Sequence, residues 1–275
     1  MKKPFKCTSR PKLETSSLVV GWNKDAAKVG PSVIDFLNRT LEGQLFCELE
    51  PLDFFSFGGA AVESDIIQFY ESKFFYNKKT NIVFFKSDQP NFQHYKFLNT
   101  VIDIAEQFCN VKEVYTINGF VSSLVHTSPR RILSVFNLPD FREELQGYGL
   151  EDMTWEGSPA MSSYLLWIAR RRGLPAVSLW PEIPFYLGAH EDPQSVKSSL
   201  SFLSRRFALN LDLTEFDSMI QEQCKRISLL RQGNAEIDQY MKLLESGISL
   251  DEEEQLKLAR EIYSLLKSNA KEGRP

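Results

Sequence analysis

Through the first two-thirds of the chain, short runs of β-branched and aromatic residues alternate with segments whose apolar residues recur every three or four positions. This alternation constrains the fold more than any other feature, because a strand repeats every two residues and a helix every 3.6. The runs Leu18–Trp22, Leu45–Leu49, Asn81–Lys86, Glu113–Ile117, Ile132–Phe136 and Ala176–Leu179 read as buried strands. Between them, Phe97, Val101, Ala105 and Phe108 form one helical stripe, and Val196, Leu200, Leu203 and Phe207 form another. Met161 to Arg172 reads as a further helix, entered near Ser158 and Pro159 and stopped by Gly173 with Pro175 beyond. The expectation is an α/β fold with a central sheet flanked by helices.

After about Leu213 the strand signals cease. Phe216, Ile220, Ile227 and Leu230 keep a helical period up to a break at Gly233, and Ile237, Met241 and Leu244 resume it as far as Gly247. Ser249 to Glu252 has the S-x-x-E form of a capping box, which predicts a last helix carrying Leu256, Ala259, Ile262 and Leu266 on one face. The predicted organisation is an N-terminal extension over 1–17, an α/β domain over 18–212 and a helical appendix over 213–275.

The bulk numbers exclude several functions. With 43% hydrophobic and 25% charged residues in 275, the chain has the composition of a globular protein. Its net charge of −4 supplies no global positive field for nucleic acid. No apolar run approaches the roughly 20 residues of a membrane span, and MKKPFKCTSRPK lacks a secretory apolar core, so a cytoplasmic protein is expected. Cys7, Cys47, Cys109 and Cys224 form no C-x-x-C pair and read as buried or incidental thiols, with no metal or cofactor implied. The 21 phenylalanines predict an aromatic core or an aromatic interface; composition does not choose between them.

The candidate functional residues lie where strands end. VHTSPRR, from Val125 to Arg131, holds a histidine, two hydroxyls and two guanidiniums. It lacks both a nucleophile elbow and a glycine-rich phosphate cradle, so it reads first as a polar turn that lines a pocket or serves structure. GWNKDAAKVG, from Gly21 to Gly30, does not match the dinucleotide spacing, and Asn23 or Asp25 reads as a helix N-cap. LWPEIPFYLGAHEDP leaves another strand with Glu182, Tyr186 and His190, its prolines stiffening an extended path. Were these strand ends neighbours, Trp22, Asp25, His126, Glu182 and Tyr186 would line one crevice. ARRRG, from Ala169 to Gly173, reads as the cationic last turn of a helix rather than a nucleic-acid patch.

GWNKDAAKVG, ELEPLDFFSF, TINGFVSSLVHTSPRR and WEGSPAMSSYLLWIARRRGLPAVSLWPEIPFY, in this order between about Leu18 and Asp217, resemble the proteasome assembly chaperone family of the second-subunit type, with its archaeal and bacterial relatives. The resemblance implies an α/β body similar to phosphorylase/hydrolase-like folds. It also implies a homo-oligomer that works without catalysis or cofactor, by binding itself and proteasome subunits or another protein complex. Relatives labelled carboxylate-amine ligases would need phosphate-holding backbone and acidic metal ligands, and no such set stands out here. A small-molecule or nucleotide-dependent enzyme of ligase or hydrolase type, using Glu182 or His126 in the crevice, is the alternative. Proteasome-docking relatives end in a hydrophobic-Tyr-any motif; this chain ends KEGRP, and its nearest equivalent, Ile262-Tyr263-Ser264, is internal, which argues against docking through the tail.

Overall fold

The computed structural model describes residues 4–56, 61–63, 66–156 and 158–268. Its strands are β1 (Phe5–Cys7), β2 (Ser16–Trp22), β3 (Gln44–Leu49), β4 (Ala61–Glu63), β5 (Ile66–Gln68), β6 (Ser72–Asn77), β7 (Ile82–Ser87), β8 (Val111–Ile117), β9 (Phe120–Ser122), β10 (Ile132–Phe136), β11 (Glu151–Asp152) and β12 (Ala176–Pro184). Its helices are α1 (Val29–Thr40), α2 (His94–Cys109), α3 (Pro139–Leu145), α4 (Met161–Arg171), α5 (Pro193–Arg206), α6 (Thr214–Gly233), α7 (Ala235–Glu245) and α8 (Glu252–Ser268). The backbone divides into two compact units. One comprises Met1–Asp25, Gly30–Asn118 and Leu133–Leu179; the other comprises Ala26–Val29, Gly119–Ile132 and Trp180–Pro275.

The first unit is built on the main sheet, in the order β1-β3-β6-β7-β2-β8-β12-β10-β11. Strand β2 pairs in parallel with β7 on one side and β8 on the other, and β8 pairs in parallel with β12. The β1, β3 and β6 margin is antiparallel. Central parallel strands covered on both faces cannot afford polar alternation. Accordingly Leu18, Val19, Val20 and Trp22 of β2, and Ile82 to Phe85 of β7, are all fully buried. The phenylalanines resolve mainly to core: Phe46, Phe54, Phe74, Phe85 and Phe97 pack with Trp22 in one cluster. Each such ring contributes about 1.5–3 kcal/mol on burial.

Helix α2 buries Phe97, Val101, Ala105 and their neighbours, as its spacing predicts, and ends at Asn110 with φ 51°. Asn tolerates this left-handed conformation better than most residues. A close approach explains the two glycines flanking GWNKDAAKVG: a Cβ on Gly21 would lie 2.6 Å from the Gly30 carbonyl oxygen, and a Cβ on Gly30 2.6 Å from that of Ile117. They let α1 and the strands touch backbone to backbone, which is a packing role.

The second unit contains β9, which pairs in parallel with the later part of β12 at Glu182 to Pro184, followed by α5 to α8. Helix α6 ends at Gly233 as expected, and Asn234 caps α7 by accepting the N–H groups of Glu236 and Ile237.

Four features differ from the sequence expectation. Strand β12 continues through Trp180-Pro181-Glu182-Ile183-Pro184, a stretch expected to be an extended path beyond the strand: proline's fixed φ suits extended backbone, and β9 supplies a partner. The capping box of α8 is Asp251 with Glu254, two residues beyond the S-x-x-E match; each backbone N–H donates to the other's carboxylate. Trp22, a candidate to line a strand-end crevice, is wholly buried. Cys7 and Cys47 are not incidental thiols but a disulfide, formed because β1 and β3 place them directly opposite in antiparallel register. Cys109 and Cys224 remain free, and burial raises the Cys109 thiol to about 12. Among the described residues no helix is long and apolar enough to cross a membrane.

Candidate functional site

In the first unit, the polar groups near the carboxyl ends of β2 and β8 form a chain of hydrogen bonds. The Trp22 indole N–H donates to Ser162 Oγ at 2.9 Å, and Asn118 Nδ2 donates to the same oxygen at 2.9 Å. Thr116 Oγ1 donates to Ser178 Oγ at 2.7 Å. Ser162, Thr116 and Ser178 are buried, so this network satisfies groups that would otherwise be costly. Asp25 accepts the Gly30 N–H at 2.8 Å, anchoring the entry to α1 as its sequence position suggested, although a 3-10 turn over Ala26–Lys28 intervenes before the helix.

In the second unit, VHTSPRR holds three charged or titratable side chains, each facing a partner from the β12–α5 segment. Tyr186 Oη accepts the His126 backbone N–H at 2.7 Å and lies 3.0 Å from His126 Nδ1. The phenol oxygen can accept from Nδ1–H as well as from the backbone, or donate its own proton to Nδ1, according to the imidazole tautomer. Burial, and next the Arg130 charge, pull His126 down to about 4; burial pushes the Tyr186 phenol up. Arg130 Nε donates to Asp192 Oδ2 at 2.8 Å, both side chains fully buried. The Arg130 guanidinium also donates to the carbonyls of Val125, His126 and Ser128. Asp192 in turn caps α5, accepting from the Gln194 N–H and from Ser195 Oγ. Arg131 meets Glu182 in a two-pronged pair, both contacts at 2.7 Å.

The strand-end candidates therefore divide. Trp22 and Asp25 belong to the first unit; His126, Glu182 and Tyr186 belong to the second. His126 and Tyr186 touch, and Glu182 stands beside them in sequence order but pairs with Arg131. His126, Glu182 and Tyr186 are 4%, 4% and 2% exposed, with His126 Nδ1, the Tyr186 hydroxyl and the Glu182 carboxylate engaged. Beyond the D-P of a helix start, no local signal marks Asp192 and Ser195 as members of this cluster.

An open groove of about 630 Å³ lies within the second unit, where His190 meets α6 and α8 beside Lys28, Glu222 and Arg226. The His190 ring rests 4.9 Å from that of Tyr263, so the internal Ile262-Tyr263-Ser264 sits in α8 with Ile262 buried. The terminal KEGRP lies outside the described residues. Among the described residues, no group of three or more His, Cys, Asp or Glu side chains is placed to hold a metal.

What the surface offers instead is aromatic. Tyr95 of α2 and Tyr164 and Trp167 of α4 are 57%, 48% and 46% exposed, with Tyr95 and Trp167 ring centroids 6.0 Å apart. The Arg171 guanidinium lies 5.0 Å above Trp167. Arg172 of ARRRG points across to α2, bridging Asp103, Glu106 and Asn99.

The sequence profile of the PAC2 family matches residues 18–231. The chain belongs to the PAC2 family. Its fold is shared by solved structures at low identity. The crystal structure of Pyrococcus furiosus PbaB, an archaeal proteasome activator, is 20% identical with a TM-score of 0.68, covering 83% of this chain and 97% of that one. The Mycobacterium tuberculosis proteasome-assembly chaperone homologue Rv2125 is 13% identical with a TM-score of 0.66, covering 77% and 94%. The Mycobacterium tuberculosis protein Rv2714, of unknown function, has a TM-score of 0.76 at 16% identity, covering 90% and 92%. No curated protein matches significantly. The PAC2 match begins at the first residue of the resemblance noted in the sequence and extends through most of α6.

Proposed function

We propose that this PAC2 protein is a non-catalytic, homo-oligomeric protein of proteasome assembly chaperone type, acting in the cytoplasm by binding proteasome subunits or another protein complex. One observation carries the reading. The polar groups most suited to chemistry, His126, Glu182 and Tyr186, are buried and engaged with protein partners, whereas Tyr95, Tyr164 and Trp167 stand exposed on neighbouring helices. A catalytic acid or base must reach its substrate; exposed Tyr, Trp and Arg are the residues that dominate protein interfaces. The likeness to PbaB, an archaeal proteasome activator, and to Rv2125, a proteasome-assembly chaperone homologue, supports the partner class. The run of parallel strands β7-β2-β8-β12 supports likening the fold to phosphorylase/hydrolase-like folds. In this reading residues 18–212 form the α/β domain and residues 213–275 a helical segment for partner contact.

The test is native co-purification of the tagged chain from its own host, with light scattering for its mass and thermal-shift screening for small ligands. A multiple of the 31.6 kDa chain mass, with a stoichiometric protein partner, is the expected result. A monomer that gains a large saturable stabilisation from a small molecule, abolished by Glu182→Gln or His126→Ala, overturns the proposal.

A further inference from the structure

The α2–α4 face has the composition of an interface centre with a cationic rim. Tyr95, Tyr164 and Trp167 supply the rings, and Lys96, Arg170 and Arg171 around them are exposed. Tyr164, Trp167 and Arg171 follow one another at i, i+3 and i+7, so they project from one side of α4. Asp103 and Glu106 of α2 are both engaged by Arg172, while Lys96, Arg170 and Arg171 stay exposed. On a chain of net charge −4, the complement to such a face is abundant on the same molecule.

A twofold contact centred on Trp167 would set each Arg171 beside its own mate, and like charges juxtaposed across an interface oppose association. A different patch of the second copy must therefore meet this face. In the helical segment four acids already hold a cation: Asp217 holds Lys197, Glu236 holds Lys257, Asp238 holds Lys242 and Arg231, and Glu245 holds Arg231. Glu252 and Glu253 at the head of α8 are exposed and have no cation partner among the described residues. Beside them in the chain, Ile248 and Leu256 are 52% and 53% exposed. Aliphatic surface edged with free carboxylates is the chemical counterpart of aromatic surface edged with guanidinium and ammonium groups.

We infer that the α2–α4 aromatic face of one copy binds the α8 head of a second copy, with Arg170, Arg171 and Lys96 facing Glu252 and Glu253. This rests on the homo-oligomeric reading above and names its contact surfaces. Two different patches meeting make a head-to-tail contact, which closes into a ring or continues as a chain of subunits.

Charge reversal tests it on the full chain by sedimentation. Arg170→Glu with Arg171→Glu, or Glu252→Lys with Glu253→Lys, each raises the dissociation constant at least about tenfold, in keeping with the several-kcal/mol cost of like-charge contacts. Combining both pairs in one chain restores association. Independently of any substitution, carbodiimide coupling of the unaltered protein, mixed from light and heavy isotopic forms, joins Lys96 of one copy to Glu252 or Glu253 of another. Unaltered protein that sediments as a monomer overturns the homo-oligomer reading itself. An oligomer with no such cross-link, indifferent to either reversal or not rescued by their combination, overturns this inference alone.

Discussion

Replacing Asp192 by alanine tests the buried electrostatics of the second unit. The Asp192 carboxylate holds the Arg130 guanidinium with both side chains fully enclosed, and it also receives Ser195 Oγ at 2.5 Å and caps α5. Removing it leaves a guanidinium in the interior, still bonded to the carbonyls of Val125, His126 and Ser128 but with no counter-charge. Breaking a buried pair in this way costs about 3–5 kcal/mol. The lost helix cap belongs to the same event, so its usual ~1 kcal/mol is not added separately. At about 2 °C per kcal/mol for a chain of this size, the melting temperature falls by roughly 6–10 °C. Urea denaturation followed by circular dichroism gives the free energy directly. The double variant Arg130→Met with Asp192→Leu removes the orphaned charge, so its cost falls short of the sum of the two single changes by about 1–3 kcal/mol. An Asp192→Ala change below about 1 kcal/mol, or strict additivity in the cycle, would refute the reasoning.

Three further outcomes follow from the geometry. His126, held in the fold near 4 against an ordinary 6.5, resists a proton that the unfolded chain accepts; the associated stability is complete above about 6.5 and falls by about 1.4 kcal/mol per pH unit between 6.5 and 4. Denaturation series from pH 7 to 4 on the parent and on His126→Phe check this, the variant showing a shallower slope. Gly21→Ala, which forces a Cβ to 2.6 Å from the Gly30 carbonyl oxygen, destabilises by about 1–3 kcal/mol in the same urea assay, and a neutral change would mean the β2–α1 contact yields. Thiol titration of the unfolded, unreduced chain finds only Cys109 and Cys224; four reactive thiols would remove the Cys7–Cys47 bridge.

The parts of the candidate site differ in how visible they are locally. Arg130 and Arg131 are conspicuous in VHTSPRR, yet their carboxylates lie 62 and 51 residues downstream, where nothing local marks them as partners. The His126 and Tyr186 contact spans 60 residues and is set by the run from β12 into the turn at Phe185–Leu187. Trp22 shows a different limit. A large aromatic at a strand end reads equally well as ligand platform or core, and only the indole N–H on Ser162, 140 residues away, decides for core.

By itself the sequence marked β2, β3, β7, β8, β10, the first part of β12 and the amphipathic helices α2 and α4 to α8, along with the PAC2 membership, because periodicity and ordered motifs are properties of neighbouring residues; β6, β9 and α3 it did not mark. Only the tertiary structure decided that β2 lies between β7 and β8, that Cys7 faces Cys47, that β12 runs on through its prolines, and that Tyr95 of α2 meets Trp167 of α4. Those outcomes depend on strand register and helix packing between residues far apart in the chain, which local side-chain chemistry permits in many combinations and the burial of one common core reduces to one.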